Sequence, residues 1–139
     1  MSAPKDDVST LRTLGQGATS YPRTVTPALL ETFPNAYPDR RYTVTFASEE
    51  FTSLCPKTGQ PDFGVISIRY VPGARCIESK SLKLYLFSYR DEGTFMETLT
   101  NRILDDLVAA CAPLEMEVTG DFAARGGITI SVTATYVKP

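Results

Sequence analysis

An α+β layer, two β-hairpins flanking a pair of helices, is the fold class this sequence predicts, and three observations predict it. Two polar–apolar alternations lie before Pro72-Gly73, two apolar stripes at helical spacing follow, and two further alternations close the chain. Strands gathered at both ends with helices between them give a mixed layer rather than a doubly wound parallel sheet. At 139 residues the chain makes one domain with room for a real hydrophobic core.

Residues 1–26 are polar, contain glycine and lack periodicity; they read as an arm that is mobile or drapes over a neighbour, ahead of a single domain over 27–139. Gly15-Gln-Gly17 has no strand before it and no third glycine, so it is not a dinucleotide loop. Pro27 to Phe33 reads as a short helical turn stopped by Pro34-Asn35. Tyr42, Val44 and Phe46 alternate with threonines, and Ile66, Ile68 and Tyr70 alternate with Ser67 and Arg69, giving two adjacent strands. Leu82, Tyr85, Leu86 and Tyr89 fall on one helical face with Ser79 as the expected N-cap, although Leu84 to Phe87 also fits a strand. Met96, Leu99, Ile103, Leu107 and Ala110 make a clearer amphipathic helix, ending near Ala112 before Pro113. Met116, Val118 and Phe122 mark a third strand, Gly126-Gly127 a turn, and Ile128 to Tyr136 the longest alternation of all. A four-stranded sheet leaves two open edges, and pairing them between subunits predicts an oligomer.

The chemistry is expected in the segment Phe51 to Phe63, read as a tight loop between two strands and shaped by Pro56, Gly59 and Pro61. Cys55 lies in it. The chain has no histidine, which removes the Cys–His dyad, the Ser–His–Asp triad and every His-based zinc site. A cysteine with Lys57 favouring its thiolate and Asp62 moving a proton is the arrangement that survives. Taken singly, Cys55 reads as a small buried apolar residue and Asp62 as a turn or cap residue. A net charge of −2 without a basic run gives no sign of nucleic-acid or membrane-surface binding. Three widely spaced cysteines, Cys55, Cys76 and Cys111, with no CxxC, no leader pattern and no long apolar run, imply free thiols in a reducing cytoplasm. No metal ligand set is expected.

Cys55-Pro-Lys-Thr-Gly-Gln-Pro-Asp62, with Glu78-Ser-Lys-Ser-Leu-Lys83 and Leu84-Tyr85 downstream, resembles the QueF family over about residues 30 to 136. Members are NADPH-dependent 7-cyano-7-deazaguanine reductases of queuosine biosynthesis, and the chain resembles the short, single-domain type. The resemblance implies the tunnelling fold, with subunits in pentameric rings that pair face to face as a decamer and sites between subunits. It implies that Cys55 adds to the nitrile carbon as a covalent thioimide, that Asp62 supplies protons, and that two hydrides from NADPH complete the amine.

By the same resemblance, Glu97 recognises the guanine-like edge, with Ile77, Glu78 and Ser79 as further substrate contacts, while Lys80, Lys83, Arg125 and Gly126 meet the cofactor. Read as residues alone, these are an ordinary helix start, an acidic first turn, a solvated lysine face and a hairpin turn. Met96, counted with these substrate contacts, stands where the family commonly has histidine, and also fits the apolar stripe of its helix. Two other readings remain open: a reductant-independent amidine-forming transferase on nitrile-bearing tRNA, and a non-catalytic purine or pterin binder.

Overall fold

Four long segments of this chain are rich in β-branched and aromatic residues, and all four become strands of one antiparallel sheet. The computed structural model describes residues 3–15, 17 and 19–139; Gln16 of the Gly15-Gln-Gly17 stretch lies outside the described residues. The strands are β1 (Thr32–Pro34), β2 (Val44–Leu54), β3 (Pro61–Val71), β4 (Arg75–Ile77), β5 (Glu115–Arg125) and β6 (Ile128–Val137), with helices α1 (Ser79–Phe87) and α2 (Met96–Cys111) between β4 and β5. The large sheet has the order β2-β3-β5-β6. β1 and β4 pair separately, so the expected order of hairpin, two helices and hairpin holds with one small ribbon added.

Three readings of the sequence are corrected. The helical turn at Pro27 stops at Leu29, and Thr32–Pro34 is extended against Arg75–Ile77. Three residues are too few for an alternating pattern to register. The loop expected over Phe51 to Phe63 shrinks to residues 55–60, because β2 runs through Leu54 and β3 begins at Pro61. The N-cap of α1 is Glu78, not Ser79: its carboxylate accepts from the N–H groups of Lys80 (2.6 Å) and Ser81 (2.7 Å). On α2, Leu104 and Cys111 are buried while Ala110 is only half-buried.

Two β-bulges decide which side chains face the helices. In β2, Ser48 pairs with Ile66 but Phe51 with Gly64, so Glu49-Glu50 takes up one extra residue. Without it, the alternation that sends Phe46 inward would send Phe51 and Ser53 outward; with it, both are buried. In β5, Phe122 pairs with Ile130 but Arg125 with Ile128, a second one-residue shift that brings Arg125 onto the face of Phe122.

The core lies between this face and the two helices. Ile66, Ile68, Tyr70 and Val118 of the sheet meet Leu82, Tyr85, Leu99, Ile103 and Leu107. Its tyrosine hydroxyls are partnered: that of Tyr85 donates to Asp106 Oδ2 (2.6 Å) and lies 3.0 Å from that of Tyr89. The arm is moored too, the Arg12 and Thr13 N–H groups donating to the Glu31 carboxylate and Tyr21 lying against Phe87.

Phe122 requires a glycine beside it. A Cβ on Gly120 would sit 2.6 Å from the Phe122 ring and 2.9 Å from Thr100 Oγ1. Gly120→Ala should therefore lose about 1–3 kcal/mol of stability through overpacking, measured by denaturant unfolding. A variant as stable as the parent would contradict this packing.

Candidate active site

The β2–β3 hairpin turn builds the first part of the site. The Cys55 N–H donates to the Gln60 carbonyl (2.8 Å) and the Gly59 N–H to the Cys55 carbonyl (2.9 Å), with Gly59 at φ +71° as the turn requires. This closes a short loop that holds Cys55 half-exposed at the end of the sheet. Its thiol is lowered from the ordinary value to about 7, chiefly by the Thr58 hydroxyl, then by the backbone N–H groups of Thr58 and Lys57, with Arg125 adding a smaller effect. Lys57 thus acts through its amide. Burial instead pushes the Cys111 thiol up to about 12, and Cys76 is buried beside Tyr42.

Asp62 faces the same interior. Its side chain is 5% exposed and pairs with Arg125 (Nη1 to Oδ1, 2.8 Å), whose Nη2 donates to Gln60 Oε1. Across the β2–β3 ladder, Asp62 lies directly opposite Ser53. Ser53 Oγ is the one fully buried side-chain polar atom, among the described residues, without a hydrogen-bond partner. Leaving such a group unpaired costs about 1–3 kcal/mol. Thr58, Gln60 and Ser53 were absent from the residues singled out by sequence. Thr58 and Gln60 had the signal of lying between Cys55 and Asp62 in one short loop, whereas Ser53, on β2, had none.

The start of α2 is tied to the same place. The Leu54 N–H donates to the Glu92 carbonyl (2.9 Å) and the Thr94 N–H to the Leu54 carbonyl (3.1 Å). Gly93 packs on Pro56, where a Cβ would lie 3.3 Å from its Cα. Met96 and Glu97 follow at once: Met96 is buried in the core, and Glu97 is exposed in the first helical turn. The hairpin turn at Gly126 (φ +59°) and Gly127 (φ +81°) lies at this end as well, next to Arg125.

Ile77, Glu78 and Ser79 are at the other end. The Ile77 N–H donates to the Tyr70 hydroxyl (2.9 Å), and Tyr70 follows Asp62 along β3 by roughly 26 Å at the rise of an extended strand. Both Glu78 oxygens are engaged by the cap of α1. Ser79 and Lys83 line a groove of about 650 Å³ between α1 and β2, together with Tyr21, Phe87 and Arg90; Cys55, Asp62 and Glu97 do not line it. Lys83 Nζ lies over the Tyr21 ring, 5.7 Å from its centroid. The fold thus brings Cys55, Asp62, Arg125, Met96 and Glu97 to one end of the protomer and leaves Ile77, Glu78 and Ser79 at the other.

Fold and site together define a class: a tunnelling-fold protein carrying an activated cysteine beside a buried carboxylate. The crystal structure of an archaeosine synthase QueF-Like in the apo form shares the fold, with a TM-score of 0.60 and 23% identity over 68% of this chain and 91% of that one. The sequence model of the family described as QueF-like protein matches residues 61–139, including Asp62. The NADPH-dependent 7-cyano-7-deazaguanine reductase of Syntrophus aciditrophicus is 53% identical over 99% of this chain and 94% of its own length. That of Anaeromyxobacter sp. strain Fw109-5 is 62% identical over 77% and 88%, and that of Chloroherpeton thalassium 56% identical over 79% and 95%. The chain belongs to the QueF family.

The alkylation rate of Cys55 by iodoacetamide should rise with pH through about 7 and level off above it, because the thiolate is the nucleophile. Thr58→Val should move that midpoint upward, toward the ordinary thiol value of 9.0. Peptide mapping should find Cys111 unmodified at neutral pH. An unchanged midpoint in the variant would remove Thr58 from the account.

Proposed function

We propose that this protein reduces the nitrile of 7-cyano-7-deazaguanine to the aminomethyl group in queuosine biosynthesis, using NADPH, through a covalent thioimide on Cys55. The observation that carries the reading is that an activated Cys55 thiol and the buried Asp62 carboxyl converge on the same Arg125 at the end of the sheet. A nitrile is linear and a poor hydride acceptor; addition of sulfur turns it into an electrophilic C=N carbon and divides a difficult step into easier ones. Asp62 protonates the nitrogen as charge develops there. The carboxylate of Glu97, exposed in the first turn of the helix whose entry is tied to Leu54 and Pro56, suits the paired N–H and amino donors of a guanine-like edge. Met96 is packed in the core and supplies no proton, so the histidine of other family members has no counterpart in the route.

In the α1 groove, Tyr21 and Phe87 offer aromatic faces to planar rings, and Lys83 and Arg90 at the α1 side offer charge to phosphates, while Glu49 and Glu50 on the β2 side would face the cofactor's neutral or donor groups. Lys80 and Lys83 would hold the phosphates; Arg125, expected to meet the cofactor, is instead engaged by Asp62 and Gln60, and Gly126 lies beside it outside this groove. NADPH held by these residues would supply the hydrides to a Cys55 brought to the groove by a neighbouring subunit, since Cys55 of the same protomer does not line it.

Substrate contacts at Ile77, Glu78 and Ser79 lie too far from Cys55 to serve the same protomer, so the site is completed by a second subunit. Support comes from the open edges β2 and β6 and from apolar side chains exposed near the Cys55 end, with Phe63 at 56%, Phe95 at 63% and Ile128 at 68%. A ring closed through these edges, doubled face to face into a decamer, satisfies both. No described helix is long and apolar enough to cross a membrane, and the reading places the enzyme in the cytoplasm acting on a free base rather than on tRNA.

Reduction of a nitrile to an amine takes two hydrides, so two NADPH should be oxidised per nitrile consumed, with none in Cys55→Ala. Ammonia-dependent amidine formation without NADPH would favour the transferase instead, and ligand binding without turnover the non-catalytic binder. Mixed oligomers of Cys55→Ala and Glu78→Gln protomers, each inactive alone, should regain activity at about a quarter of their sites by random assembly. No regain would contradict a site shared between subunits.

A further inference from the structure

Asp62 sits on the middle strand of three, with a different neighbour on each side. On the β5 side is Arg125, brought inward by the second bulge and paired with it at 2.8 Å. On the β2 side is Ser53, brought inward by the first bulge, 0% exposed and without a partner. Directly opposed residues of an antiparallel pair have Cβ atoms about 4.5–5.5 Å apart, so a rotation of the two side chains brings hydroxyl and carboxyl together.

The two neighbours suit two different forms of the carboxyl group. A guanidinium pairs with a carboxylate, which has no proton to give. A carboxyl group about to deliver a proton is a neutral acid, and a serine hydroxyl, both donor and acceptor, is a matched partner for it. We propose that Ser53 is a positioning residue that holds Asp62 as the proton-bearing acid, while Arg125 holds it as the carboxylate after the proton has left. This rests on the reading of Cys55 and Asp62 given above.

The step balances as follows. The Cys55 thiolate forms the S–C bond, one π bond of the nitrile breaks, and its electron pair takes the Asp62 proton onto nitrogen. The carboxylate that remains turns from Ser53 to Arg125. The absence of a histidine beside Glu97 makes this placement more consequential, since Met96 offers no second donor.

An unpartnered buried hydroxyl that served only the fold would be better replaced by a methyl group; one kept for chemistry would not. Ser53→Ala should therefore keep or raise the melting temperature, yet lower kcat by about tenfold or more with KM little changed, the range expected for impaired proton transfer. Ser53→Gly removes the hydroxyl together with its Cβ and should show the same kinetic loss, giving a second variant without the hydroxyl. In an Asp62→Asn background, measured by single-turnover reduction, Ser53→Ala should cost nothing further, because its effect runs through Asp62. Turnover of Ser53→Ala and Ser53→Gly within twofold of the parent would overturn the proposal. So would an equal loss in both backgrounds. If Cys55→Ala or Asp62→Asn is itself as active as the parent, it is the earlier reading that fails.

Discussion

Two single-residue insertions in the strand pairing hold this site together. A strand has a strict period of two, so every side chain beyond an insertion changes face. The Glu49-Glu50 bulge turns Phe51 and Ser53 toward the helices and delivers the chain to Cys55 on that side. The bulge after Phe122 does the same for Arg125. Between them, Asp62 stays in unbroken register on β3 and receives a neighbour from each flank. Remove either insertion and regular alternation would place its charged or polar group on the other side of the sheet.

The electrostatics follow from that placement. Cys55 lies in a turn whose hydroxyl and amides point at sulfur, so the thiolate is favoured with no histidine in the chain. Away from this turn the balance reverses at Cys111, where burial, with a smaller effect from Cys76, raises the thiol. The helix pair contributes rigidity at the same end, since the chain entering α2 is hydrogen-bonded on both sides of Leu54. The Ile77–Ser79 corner is moored to Tyr70 at the far end of β3. That separation, the open sheet edges and the exposed Phe63, Phe95 and Ile128 are what support the proposal of a site shared between subunits.

Much of the fold was legible because long segments carry a strong period: Ile66 to Tyr70, Met96 to Leu107 and Ile128 to Tyr136 each declare their element. The small β1–β4 ribbon was not, being three residues long on each side. The paired glutamates at 49 and 50 do interrupt the alternation of β2, yet an interruption alone does not separate a bulge from a strand end, and the loop was drawn too long. The cap fell one residue early for a related reason. A serine is the commoner capping side chain, but Glu78 here reaches two amides at once. For the site, Cys55 and Asp62 stood out by chemical type. Ser53 could not, because its interest arises only from the register that sets it opposite Asp62 and from the missing partner.

The most direct test of the site is intact-mass analysis after incubation with 7-cyano-7-deazaguanine and no reductant, followed by peptide mapping. The expected result is one nitrile added per chain, confined to the peptide that contains Cys55. An unmodified mass, or an adduct on the Cys76 or Cys111 peptide, would contradict the assignment of Cys55 as the nucleophile.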